Sequence, residues 1–328
     1  FSNISVKTFE REDIQPDEDS IGEIVSTLIG CGNLLTKKTL TIVKSIYDNT
    51  IMKDDAHNAY RFFKNGWVSI TEKGVSGLRS YDELPEGKLI WNSSVIDRDF
   101  VSPEDATSSS EHFRDFIENL SKENEVVNPD NLNTIKKGIG YLCHNFRPSD
   151  CNKWVVALDR NFDPNRKKSN GGNGKSILFE ALERVMNTAD VDGTEFVKNR
   201  SDKFAFAEVN ASTELVFIDD ANKDFDWKRL YSRTTGSFMV RKSTKDPFYI
   251  PKNEAPKICI SSNFPIPDDD PSTLRRTYLI EVSDFYWNEL SQNNLTPKDT
   301  DLASPLNSIS FELNIGIAFD KNSSAISL

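Results

Sequence analysis

The stretch KKSNGGNGKSILFEALERVM, residues 167–186, constrains the fold most strongly. An apolar run, KWVVALD (153–159), reads as a buried strand, and the polar segment RNFDPNRKKSN that follows it reads as a loop. Gly171, Gly172 and Gly174 crowd the end of that loop, and Lys175-Ser176 opens a segment with apolar residues on one helical face. In a strand, glycine-rich loop and helix, backbone N–H groups can turn inward around phosphate oxygens, and the helix N-terminus adds partial positive charge. Gly171, Gly172, Asn173, Gly174, Lys175, Ser176 and Ile177 would form the cradle. Lys175 would reach the β- and γ-phosphates of ATP, and Ser176 would hold Mg²⁺ through its hydroxyl. The pattern G-x-x-x-x-G-K-[ST] wants a further glycine where this chain has Ser169, so Gly171 and Gly172 must supply the flexibility. A glycine turn capping a surface helix is the plainer alternative for this stretch alone.

A second stretch, ELVFIDDAN (214–222), carries an apolar strand into Asp219 and Asp220. Beside a phosphate loop, Asp219 would hold the Mg²⁺ shell and Asp220 would orient or activate the attacking water. A core strand ending in a solvated loop is the bland reading, and the position of the pair 44 residues after Lys175 favours the catalytic one. A third stretch, APKICISSNFPIPDDDPSTLRRTYLIEV (255–282), ends an apolar strand in Ser261-Ser262-Asn263. Asn263 could hydrogen-bond both the γ-phosphate and the water, or be a plain turn residue. Arg275 and Arg276 precede the strand TYLIEV. A guanidinium forked onto the γ-phosphate stabilises transition-state charge, and one supplied by a neighbouring subunit makes hydrolysis depend on assembly. Arg276 directly abuts the strand and is the preferred finger; a surface arginine pair is the alternative.

The rest of the chain is read more coarsely. Residues 1–60 carry helical periodicity after an acidic lead, and residues 60–100 carry short β-branched and aromatic runs with a turn at Asn65-Gly66. VSPEDATSSS resembles a linker, and residues 110–147 read as two helices broken near VVNPDN. The expected division is an N-terminal region 1–107, a helical connector 108–150, an α/β core 151–285 and a tail 286–328. The expected fold class is α/β, with a P-loop core built on a central, largely parallel sheet. The net charge of −11 excludes a protein that coats nucleic acid with its whole surface, so any such contact must be local. Cys31, Cys143, Cys151 and Cys259 show no metal-ligand spacing, and with His57, His112 and His144 scattered no zinc site is expected. No signal peptide or membrane span is expected, which points to the cytoplasm. The chain starts with Phe1 rather than Met, as a piece of a longer chain would.

Together NGGNGKS, LVFIDDAN, KICISSN and LRR, in that order, resemble the Walker A, Walker B, motif C and arginine-finger elements of superfamily 3 helicases of the D5-like primase–helicase kind, found in phages, plasmids and DNA viruses. WKRLYSRTTGSFMVRKSTKDPFYIPKNEAPK resembles the segment that family has between Walker B and motif C, a basic stretch ahead of a β-hairpin. More weakly, AYRFFKNGWVSIT and VIDRDF resemble the region before the family's core. The resemblance implies an AAA+-like core, a homo-hexameric ring, and 3′→5′ movement on single-stranded DNA in replication of a mobile element. A primase, if present, would lie upstream of Phe1, and a primase or polymerase is the implied partner. The hairpin would offer Arg241, Lys242 and Lys245 to DNA phosphates in a central pore, with Lys245-Asp246-Pro247 at its tip; a solvated hairpin edge is the alternative. Phe248 and Tyr249 are expected to pack half-buried on their strand. Two other functions stay open, a P-loop phosphotransferase acting on a small molecule and a non-catalytic nucleotide-binding module.

Overall fold

A computed structural model describes residues 51–102, 109–148, 150–161, 172–197, 203–243, 245–266 and 270–292. The helices expected before residue 51, the loop positions Ser169 and Gly171, and the tail beyond residue 292 lie outside the described residues. Residues 51–58 are not helical, contrary to the sequence reading. The Asp55 carboxylate accepts from the amides of His57 (2.8 Å) and Asn58 (3.0 Å), and this local turn competes successfully with a helix.

Strands β1 (Ala59–Phe63), β2 (Gly66–Thr71), β3 (Gly74–Val75) and β4 (Val95–Ile96) form a small sheet in the order β3-β2-β1-β4. This is the β-rich unit expected between residues 60 and 100. Gly66 opens β2 at φ +148°, where a Cβ would collide with the Arg79 carbonyl, so only glycine fits. Arg61 of β1 is buried between the carboxylates of Asp54 and Glu214, each at 3.8 Å, and donates to the Cys143 carbonyl. That charged contact ties the small sheet to the larger body.

Helix α1 (Ser109–Leu120) is followed by a two-stranded hairpin, β5 (Lys122–Glu123) and β6 (Val126–Val127), and then by α2 (Pro129–Cys143). The expected break near VVNPDN is sharp. Asn124 and Glu125 turn at positive φ, Asn128 caps the amides of Asp130 and Asn131, and Pro129 opens the helix.

The core sheet consists of β7 (Trp154–Asp159), β8 (Thr188–Asp192), β9 (Leu215–Ala221), β12 (Lys257–Ser262) and β13 (Thr277–Val282), in the order β13-β7-β12-β9-β8 with every pair parallel. Parallel strands covered on both faces read as continuous apolar runs, as WVVAL and LVFI do. Val155, Ala157, Leu215 and Phe217 face α1, α2 and α3 (Lys175–Glu183). Trp154, Val156, Val216 and Ile218 face the layer that carries α4 (Lys228–Thr235) and a hairpin, β10 (Phe238–Lys242) and β11 (Lys245–Ile250). The chain completes its core with α5 (Pro271–Arg276) before β13 and α6 (Phe285–Gln292) after it. The class is α/β with a central parallel sheet, preceded by a small β-rich unit, as expected.

The hairpin corrects the sequence reading in one respect. Lys242 pairs with Lys245, so the strand has already ended at Ser243 and Lys245-Asp246-Pro247 belongs to the next strand. The register is set by the pairs Phe238↔Ile250 and Val240↔Phe248, which bury apolar residues against the core, and it carries the turn to Ser243. Tyr249 points the other way and is 58% exposed, contrary to the half-buried packing expected of it.

Candidate active site

The site gathers at the carboxyl ends of the parallel strands, where open α/β sheets place ligands. Gly174 precedes α3 in a left-handed conformation (φ +91°), and Gly172 has φ +111°. A Cβ on Gly174 would crowd the Phe116 ring at 3.1 Å, so α1 presses directly on the loop. Lys175, the first residue of α3, is buried. Its Nζ lies 2.5 Å from Oδ1 of Asp159, the last residue of β7. Asn173 is also buried and donates through Nδ2 to the same oxygen (2.8 Å) and to Asp284 Oδ1 (3.3 Å). Asp284 in turn accepts from Asn161 Nδ2 at 2.7 Å.

Ser176 Oγ donates to Asp219 Oδ1 at 2.8 Å, and Ser261 Oγ reaches the same carboxylate oxygen at 2.5 Å. Side chains in a regular strand alternate between faces, which would send Asp219 and Asp220 apart. Here β9 bulges against β12: Ile218 pairs with Ile260 and Ala221 with Ser262, leaving two residues opposite Ser261. Asp220 takes φ +53°, a left-handed conformation rare outside glycine, and its amide donates to Ser261 Oγ at 2.9 Å. The bulge leaves Asp220 Oδ1 within reach of Asn263 Nδ2, at 3.1 Å. Asn263 Oδ1 and Asn173 Oδ1 are shielded from solvent and have no protein partner, so the site keeps unused acceptors. Backbone strain beside unpaired polar atoms is characteristic of functional sites.

Arg275 and Arg276 end α5. Arg276 is committed within its own chain: Nη1 donates to the Ser272 carbonyl at 2.8 Å, and the guanidinium lies 4.6 Å from the Tyr231 ring centre. Arg275 is exposed. Arg241, Lys242 and Lys245 lie on the β10–β11 hairpin, a separate two-stranded sheet, and are not part of this cluster.

Acidic groups continue away from Asp219 along the sheet edge. Burial, and then the Asp219 charge, raises the Asp190 carboxyl above its usual range. Burial pushes Glu183, at the end of α3, up to about 7, and repulsion from Asp190 adds to the effect.

Sequence reasoning overlooked Asp159, Ser261 and Asp284. Asp159 carries the signal that picked out Asp219, a carboxylate ending an apolar strand. Ser261 and Asp284 had no such signal, because their roles come from strand order and from the β9 bulge.

The donor set around Ser176 and Asp219, a hydroxyl beside a carboxylate, consists of hard oxygens and fits Mg²⁺, which takes few protein ligands and completes its shell with water and phosphate oxygens. Among the described residues no group of three or more His, Cys, Asp or Glu side chains could hold a metal ion by themselves. No described helix is long and apolar enough to cross a membrane.

Residues 168–276 match the profile of a family of unknown function, DUF5906. No curated protein matches the chain. The apo C-terminal region of NrS-1 is similar at 12% identity and a TM-score of 0.39, covering 87% of this chain and 68% of that one. JCV helicase with a bound acetamide compound is similar at 12% identity and a TM-score of 0.32, covering 64% of this chain and 59% of that one. Alignments this loose carry no argument about activity, and the geometry of the site alone bears on it.

Proposed function

We propose that the chain is an ATP-dependent motor acting on single-stranded DNA, of the superfamily 3 helicase kind. The observation that carries this reading is the meeting of Ser176 with Asp219 and of Asn263 with Asp220 at the carboxyl ends of adjacent parallel strands. Lys175 would leave Asp159 for the β- and γ-phosphates, while Asn173 holds Asp159 in place. Ser176 and Asp219 would hold Mg²⁺, which neutralises charge developing on the phosphate oxygens. Asn263 and Asp220 would orient a water in line with the γ-phosphorus. Asp220 accepts its proton as the new P–O bond forms and the bond to the β-phosphate oxygen breaks, releasing ADP and phosphate.

Arg275, exposed at the end of α5, is better placed than Arg276 to reach a neighbouring subunit's γ-phosphate. The finger assigned from sequence to Arg276 therefore passes to Arg275, with Arg276 holding α5 against Tyr231. A hexameric ring would place β10–β11 hairpins around a pore, with Arg241, Lys242 and Lys245 against DNA phosphates.

Strand displacement tests the reading. A duplex with a single-stranded tail should be unwound only with ATP and Mg²⁺ together. Phosphate transfer to a small acceptor without any strand displacement would contradict the motor assignment.

A further inference from the structure

Helix α5 has six residues, too few to hold itself, and it carries Arg275 and Arg276 at its end. Side chains around it therefore decide where those arginines stand. Asp270 caps the helix: its Oδ1 accepts from the amides of Ser272 (3.0 Å) and Thr273 (3.4 Å). Its other oxygen, Oδ2, accepts from the hydroxyl of Tyr231, in α4, at 2.7 Å. That bond uses the Tyr231 proton, so the Thr273 hydroxyl, 2.6 Å away, donates to Tyr231. The Tyr231 bond also holds the Asp270 carboxyl below its usual range, which keeps it an acceptor at neutral pH.

The Tyr231 ring is fixed as firmly as its hydroxyl. It stacks on the Trp154 ring of β7, with centres 6.0 Å apart and planes 14° from parallel. Trp154 is fully buried and donates through Nε1 to Thr277 Oγ1 at 3.0 Å. The Thr277 hydroxyl donates in turn to the Thr273 carbonyl at 2.9 Å. With the Arg276 guanidinium over the Tyr231 ring, the cap of α5 and its last residue both bear on one side chain of α4. The same α4 leads through Gly236 and Ser237 into β10 of the hairpin.

We infer that Tyr231 is a positioning residue for the Arg275 finger: its hydroxyl locks α5 to the helix that leads into the hairpin, and so sets where Arg275 stands toward a neighbouring subunit's γ-phosphate. The inference rests on the shared-site motor reading. Stacking alone needs only an aromatic ring at this position; the bonds to Asp270 and Thr273 need the hydroxyl.

The test is steady-state ATP hydrolysis by the full chain with single-stranded DNA, at protein concentrations where the wild-type rate per subunit has levelled off. Tyr231→Phe keeps the stacked ring and removes the hydroxyl. Asp270→Ser keeps a cap for α5 and leaves no second oxygen for Tyr231. In each variant kcat should fall by at least about tenfold, the effect of losing one hydrogen bond to a charged group, with KM for ATP unchanged. The double variant should lose no more than either single, because both changes remove the same bond. Adding Asp220→Asn protein to either single variant should restore part of the activity, since the intact Asp220 of one subunit then meets a correctly held Arg275 of the other. Thermal melts identify a variant that fails to fold, and the other variant then supplies the reading; unfolding of both would make the bond a requirement of the fold and overturn the inference. Wild-type kcat in the folded variants overturns the inference and leaves the motor reading standing. A loss that mixing does not restore also overturns it, because the defect then lies in the subunit's own site. A wild-type rate per subunit that never rises with concentration overturns both the inference and the shared site.

Discussion

Ser176 Oγ and Asp219 Oδ1 stand 2.8 Å apart although 43 residues separate them in the chain. The N-terminus of α3 and the C-terminal end of β9 meet there because α3 packs Leu178 and Phe179 against the same sheet face that presents Phe217. A hydroxyl opening a helix beside a carboxylate ending a strand would form half of a hard-cation shell, and phosphate oxygens would supply the other half.

Lys175→Ala removes the buried cation that opens α3, which the proposed mechanism places on the phosphates of ATP. ATP turnover should fall by at least about a hundredfold, with ATP binding weakened as well. Equilibrium binding of a fluorescent ATP analogue checks the second effect. Undiminished affinity would assign Lys175 to a purely structural pairing with Asp159.

Asp220→Asn keeps the bulge but removes the base. kcat should fall by about 10²-fold or more, with KM for ATP little changed. Steady-state kinetics over an ATP series separates the two constants. A rise in KM at constant kcat would place Asp220 in ground-state binding.

Arg275→Ala should retain nucleotide binding and lose turnover, and mixing it with Asp220→Asn protein should restore part of the activity. A mixed interface that takes Asp220 from the Arg275→Ala subunit and Arg275 from the Asp220→Asn subunit is then intact. Arg276→Ala should instead lower thermal stability, because it removes the guanidinium that lies over the Tyr231 ring and its bond to the Ser272 carbonyl. Restoration by mixing with Arg276→Ala and not with Arg275→Ala would reverse the assignment.

Glu183 gives a pH signature. Its carboxyl rises from 4.5 to about 7 on folding, first through burial and then through Asp190. The folded state resists ionisation, so this group removes stability as pH climbs from about 4.5 to about 7. Glu183→Gln should therefore raise Tm at pH 8 and leave it unchanged at pH 4. Thermal melts at the two pH values decide it, and a lower Tm for the variant at pH 8 would contradict the burial argument.

Lys257 tests how α2 ends. Its buried Nζ donates to the carbonyls of Tyr141 (2.5 Å) and His144, satisfying acceptors at a helix C-terminus. Lys257→Ala should lower unfolding free energy by about 3 kcal/mol through orphaned carbonyls and a cavity. Denaturant unfolding measures this, and a loss near zero would mean water replaces the ammonium.

Much of the core sheet was legible in the sequence, because parallel strands buried on both faces announce themselves as unbroken apolar runs. WVVALD, LVFIDD and KICISS all became sheet strands, and the loop before Lys175 led into a helix. What escaped was relational. The contact of Ser261 with Asp219 depends on β12 lying beside β9, and the bulge that turns Asp220 leaves no mark in composition. The Lys242↔Lys245 pairing moved the hairpin turn, since the register answers to buried Val240 and half-buried Phe248 rather than to the Asp-Pro pair.

The most direct measurement is the ATP hydrolysis rate per subunit over a protein concentration series, with and without single-stranded DNA, using Lys175→Ala as the blank. A shared-site motor predicts a rate that rises with concentration and rises again with DNA. A rate above the blank but indifferent to both would mean a self-contained site and would contradict the account.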